Sequence, residues 1–257
     1  MERHLEISRS GYFVVRLGLV ALGGAAIVWG SLSFAITWPH AAVERAAIRI
    51  IDAEDYQLSA LKSLRSAAMA LENAGPCRPS VARSAAIIQL RLSELETNEA
   101  EHGGDNELER SREQVLRSLA CSPADPFLLL ALFWLQTVQY GFHPADLDLL
   151  RLSYRLGPNE GWIGLRRFSL ALAMINGLPP ELVGRMVDDF VHLVAARIYP
   201  QMVDRFVAAD LPTRTMLLAA LNRVSEFDRR NFDAYLKSSG IEGTVPGVDK
   251  GEPRPWR

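Results

Sequence analysis

Residues 122–156 of this chain are matched by residues 157–190. Ser122-Pro123-Ala124-Asp125 falls against Gly157-Pro158-Asn159-Glu160, and Pro144-Ala145-Asp146-Leu147 against Pro179-Pro180-Glu181-Leu182, both at an offset of 35 residues. Two separate anchors on one period restrict the fold to a stack of like units. Each unit is too small to bury its own apolar face and must cover it with a neighbour.

The punctuation inside each unit spells two helices. Asp125-Pro126 supplies an N-cap and a first-turn proline for a helix over 126–140, whose Phe127-Leu128-Leu129-Leu130-Ala131-Leu132-Phe133-Trp134-Leu135 core is apolar nearly all round. Gly141 ends it, Pro144 opens a partner helix through 156, and Gly157-Pro158 turns the chain into a second pair, 159–175 and 179–198. Residues 114–122 fit the same register as 149–157, as the second helix of a degenerate preceding unit. Three short helices, 200–209, 212–224 and 226–236, are expected to cap the last unit. The Gly- and Pro-rich stretch 238–257 reads as a disordered tail.

Upstream, residues 17–38 contain no charge, and 22 residues at about 1.5 Å each can cross a hydrocarbon core of about 30 Å. They read as one transmembrane helix that Pro39 stops. A cleaved signal peptide with Ser33-Phe34-Ala35 as its processing site is the alternative. Arg3, Arg9 and Arg16 precede the span, against Arg45 and Arg49 after it. This bias favours a short cytoplasmic tail (1–16) and a body outside the cytoplasm. Small residues four apart in the span, Ala21/Ala25 and Ala26/Gly30, allow close approach of a second membrane helix, although a lipid-facing helix accounts for them equally.

Residues 41–121 are expected to form a long helix followed by a helical bundle. Positions 41–73 lack Gly and Pro and carry apolar residues at helical spacing, and Gly75-Pro76-Cys77-Arg78-Pro79 ends that helix. A second helix follows over 80–96, then a polar loop over 97–105. Asp105 is the expected N-cap of a third helix to Cys121, with Leu108, Val115, Leu116 and Leu119 as its apolar stripe and Glu113–Arg117 as an i,i+4 pair. If these helices run up, down and up, Cys77 and Cys121 come near enough to bridge in an oxidising compartment; two unpaired core thiols are the alternative.

An apolar content of 49% supplies ample core, and a net charge of −2 leaves no cationic excess for nucleic-acid phosphates. No glycine-rich phosphate loop, nucleophile elbow or zinc-spaced Cys/His cluster occurs, so neither a catalytic residue nor a cofactor is expected. Asp188 and His192, i,i+4 on one helix with Asp189 beside them, are the best local metal candidates, with a solvated surface pair as the plainer reading. Glu160, Arg166 and Arg167 are read as lining a polar groove for a partner, with an ordinary exposed charged face as the plainer alternative. Tyr154 is read as either a partner contact or an inter-helix packing residue.

The 35-residue helix-pair period resembles tetratricopeptide repeats. Pro158 falls where that family has its closing proline, and Leu150 and Ser153 at its large and small second-helix positions, while Trp134 stands where the family has a small residue. The resemblance implies an all-α, right-handed solenoid or bundle behind one transmembrane helix, with helix pairs over 122–198 and capping helices over 199–237. Arg151-Leu152-Ser153-Tyr154-Arg155-Leu156-Gly157-Pro158-Asn159-Glu160, behind a membrane anchor, also resembles bacterial envelope proteins associated with exopolysaccharide biosynthesis. That likeness covers about residues 122–193. It implies a single-pass inner-membrane protein with a periplasmic body that binds envelope or inner-membrane proteins as a scaffold. A structural subunit held through its span and an envelope enzyme acting on glycans are the other two readings.

Overall fold

The computed structural model describes residues 9–52, 54–99, 104–241 and 245–248. Within them the chain is all-helical, with eleven α-helices, three short 3-10 turns and no strand. It divides into two compact units, Met1–Gly103 and Gly104–Arg257. The expected tail at 1–8, the middle of the loop at 100–103 and the end of the chain from 249 lie outside the described residues.

The first unit is built on α1 (Arg9–Ile51), α2 (Leu58–Asn73) and α3 (Pro79–Glu99), each packed on the other two. Within α1, Tyr12–Phe34 is long and apolar enough to cross a membrane and is uncovered by the rest of the chain. Pro39 does not stop this helix. An interior proline removes one backbone hydrogen bond, and the remaining ladder carries the helix across it. Beyond it, Val43, Ala46, Ala47 and Ile50 recur at helical spacing and are buried. The single helix expected over 41–73 is broken at 52–57, where a polar run carries Asp52, Glu54 and Asp55. Ile51 and Leu58 lie seven residues apart, two helical turns, so the apolar rhythm passes over the break unchanged.

In the second unit α4 (Gly104–Cys121) packs on α5 (Pro126–Tyr140). The helix is described from Gly104, where the described residues resume. Its buried face overlaps the expected stripe only in part: Val115 is buried and Leu108 and Leu119 are half-buried. Glu107, Ser111, Gln114, Val115 and Ser118 are buried while Leu116 is exposed. Glu113 and Arg117 do pair, at 3.9 Å.

The α5 helix starts as its sequence dictates. Asp125 accepts hydrogen bonds from the backbone N–H groups of Phe127 (3.0 Å) and Leu128 (3.2 Å), and Pro126 occupies the first turn. Every residue from Pro126 to Phe133 is buried, as is Leu135. Each fully buried Leu or Phe contributes about 1.5–3 kcal/mol. The helix packs on α6 (Leu147–Leu156), entered through a 3-10 turn at Pro144–Asp146. A second hairpin follows from α7 (Gly161–Ala173) and α8 (Pro180–Ala195), and α5 also touches α7. The rings of Phe127 and Trp162, equivalent residues 35 positions apart, meet at 5.0 Å.

The remaining helices, α9 (Tyr199–Ala208), α10 (Leu211–Ala220) and α11 (Glu226–Ser238), pack on α8. Phe232 is the centre of that contact, edge-on to Phe190 at 5.7 Å and to Phe206 at 6.2 Å. The tail expected over 238–257 is in part folded. Val245 is 1% exposed, and Val248 N–H donates to Val245 O at 3.2 Å across Pro246-Gly247. The left-handed backbone is needed at the third position of this turn, where Gly247 has φ +70°, the pattern of a type II turn.

Candidate functional site

The residues singled out in the sequence part into an interior set and an exposed set. On α7 the buried stripe runs Ile163, Gly164, Arg167, Phe168 and Ala171, so Arg167 sits on the apolar face. On α8 it runs Leu182, Met186, Asp189 and Phe190. A cation and a carboxylate thus face inward from consecutive helices.

They meet. Arg167 Nε donates to Asp189 Oδ2 at 3.1 Å and Nη2 to Oδ1 at 3.0 Å, a bidentate pair in which Arg167 is 0% exposed. The third nitrogen, Nη1, donates to the carbonyls of Ser153 (3.0 Å) and Gly157 (2.8 Å), closing the C-terminal end of α6. A cation suits that end, where backbone carbonyls lack partners and the helix dipole is negative. The guanidinium lies 4.5 Å from the ring centroid of Tyr154. Ser153 Oγ donates to Pro126 O at 2.8 Å, bringing in the start of α5. Gly157 is needed here for space: a Cβ on it would lie 2.7 Å from Pro126 Cγ.

One cluster therefore ties α5, α6, α7 and α8 together. Tyr154 and Asp189 are equivalent residues, 35 positions apart, and both converge on Arg167. Burial pushes the Asp189 carboxyl up, against the pull of Arg167. Burial, with the neighbouring Asp189 charge, also raises the Tyr154 hydroxyl. Both members of the ion pair are thus held by geometry that shields them from water.

This removes Arg167 from the expected groove, and of the two readings of Tyr154 it leaves the inter-helix packing one. Neither is available to a partner, because Arg167 is wholly buried and Tyr154 is 7% exposed. Arg166, one residue before it, is turned about 100° around the helix and is exposed. Glu160 is half-buried and folds back over the α6–α7 turn, with Oε1 3.3 Å from the Cβ position of Gly157. Arg151 on the exposed side joins Asp148 (2.9 Å) and Glu181 of α8 (2.6 Å).

The metal candidates separate as well. Asp188 pairs with Arg223 at 2.8 Å, Asp189 turns inward, and His192 is exposed. Among the described residues no three potential metal ligands gather. Cys77 and Cys121 are both disulfide-bonded, with no free thiol among the described residues.

The sequence does carry a signal for the Arg167 cluster. A charged residue on the apolar stripe of each of two consecutive helices is costly unless the two meet. Comparison with protein-family models, with curated proteins and with solved structures returns no match.

Proposed function

We propose that the chain is a membrane-anchored helical scaffold whose second unit, a tetratricopeptide-like pair of hairpins, binds partner proteins of the bacterial envelope. The observation that carries this is the four-helix clamp at Arg167. It ties α5–α8 together, while Arg151, Arg166 and Glu181 on α6, α7 and α8 are exposed charges. Rigid helix pairs with a charged outer face suit protein recognition, since little ordering entropy is lost on binding. Tethering to the bilayer then raises the effective concentration at which partners meet. The oxidised cysteines fit a body in the periplasm of a single-pass inner-membrane protein. The likeness of residues 151–160 to exopolysaccharide-associated proteins directs the reading to an accessory role in polysaccharide assembly or export.

A structural subunit held through its span is the second reading, favoured by the uncovered apolar length of Tyr12–Phe34. Two variants of the full chain separate them: one with Tyr12–Phe34 replaced by an unrelated span, one with Arg166→Glu and Glu181→Arg. Scaffold function predicts that co-purified envelope proteins are lost from the charge variant and kept by the span variant. The reverse pattern would establish the structural subunit.

A further inference from the structure

The geometry of the first unit points to a second contact with the membrane, beyond the span: we infer that the turn at residues 74–78, between α2 and α3, rests on the headgroups of anionic lipid. This rests on α1 being a membrane span. The decisive quantity is length. Beyond Phe34, α1 continues without a break to Ile51, a rise of about 26 Å, or about 20 Å if the apolar run is taken to end at Trp38. The short link 52–57 then joins it to α2, which packs on it and so runs back toward the membrane. At 16 residues α2 is about 24 Å long. The return journey matches the outward one, and the α2–α3 turn stands level with residues 34–38. Antiparallel α2 and α3 agree with this, since Lys62 near the start of α2 pairs with Glu96 near the end of α3 at 2.8 Å.

Charge is distributed along the unit in the same sense. At the end with the α2–α3 turn the chain holds Arg78 and Arg83 against one acid, Glu72 in the last turn of α2. The opposite end holds five acids, Asp52, Glu54 and Asp55 in the link with Glu94 and Glu96 late in α3, against three cations, Arg49, Lys62 and Arg91. Arg78 and the whole turn are exposed. A basic end facing an anionic leaflet and an acidic end facing away lowers the energy of this orientation within a Debye length of the surface.

The test labels the full chain by genetically encoded fluorophores at Gly75, Glu54 and Val28, one per sample, reconstituted into vesicles. A Cβ at Gly75 meets nothing within 4 Å, Glu54 is exposed at the far end of the unit, and Val28 lies within the span. Headgroup-nitroxide lipid is expected to quench Gly75 and leave Glu54 bright, with more quenching when phosphatidylglycerol is added to phosphatidylcholine. Acyl-chain nitroxide is expected to quench Val28. Quenched Val28 with unquenched Gly75 overturns the surface contact while keeping the span; unquenched Val28 overturns the span and the contact together. Equal Gly75 quenching with and without phosphatidylglycerol overturns the preference for anionic lipid.

Discussion

Arg167 and Asp189 meet through two hydrogen bonds, 3.1 and 3.0 Å, in a place from which water is excluded. Removing one member leaves the other charged and buried. Asp189→Asn or Arg167→Leu is expected to lower stability by about 3–5 kcal/mol, whereas Arg167→Met with Asp189→Leu should cost less than either single change. Denaturant unfolding of the full chain in detergent measures this. Additive losses in the double variant would show that the pair is not coupled.

Among the described glycines of the second unit, Gly157 is the one with least room for a side chain. In Gly157→Ala the new methyl group meets the rigid ring of Pro126 at 2.7 Å, and α5 must shift away from α6. A loss of about 1–3 kcal/mol is expected from the same unfolding measurement.

Arg197 terminates α8 in the left-handed conformation, φ 64°, where a glycine is usual. Its N–H donates to Val194 O (2.9 Å) and that of Ile198 to Leu193 O (3.1 Å), the two bonds of a Schellman end. Its side chain offsets the backbone cost by pairing with Asp228 at 3.2 Å and covering Phe227 at 5.0 Å. Arg197→Ala loses those contacts and keeps the strain; Arg197→Gly loses the contacts and relieves it. The Gly variant is expected to be the more stable by about 1–2 kcal/mol.

Three carboxyls sit below their usual range: Asp228 through the Ser225 hydroxyl, Asp210 through its Thr213 cap bonds, and Glu181 through Arg151. Each binds its proton more weakly folded than unfolded. Their contribution is therefore full above the unfolded values, about 3.9 for Asp and 4.3 for Glu, and is lost as pH falls through the lower folded ones. Asp189, pushed up by burial, acts in the opposite sense. Comparing the parent with Asp228→Asn isolates one group: the midpoint of thermal unfolding should fall less steeply below about pH 4 in the variant.

Much of the fold was legible in the residues. Asp125-Pro126 and Gly157-Pro158 mark the start and turn of helices because caps and prolines act locally, and the uncharged run up to Trp38 marks the one helix both long and apolar enough for a membrane among the described residues. What escaped was settled by contacts distant in sequence. Ile51 and Leu58 keep helical phase across a break, and Val245 is buried by its surroundings although it stands in a Gly- and Pro-rich stretch. At the site, Arg166 and Arg167 are indistinguishable as residue types; their opposite fates follow from which side of α7 faces Asp189, 22 residues after Arg167.

Photocrosslinking in cells tests the scaffold directly. A photoreactive residue at Arg166 is placed on the exposed side of α7, with the same residue at Tyr12–Phe34 positions as comparison. A dominant envelope protein trapped from position 166, and lost on Glu160→Arg or Glu181→Arg, is the expected result. Crosslinks arising only from within the span, with none from 166, would contradict a partner-binding face on the second unit.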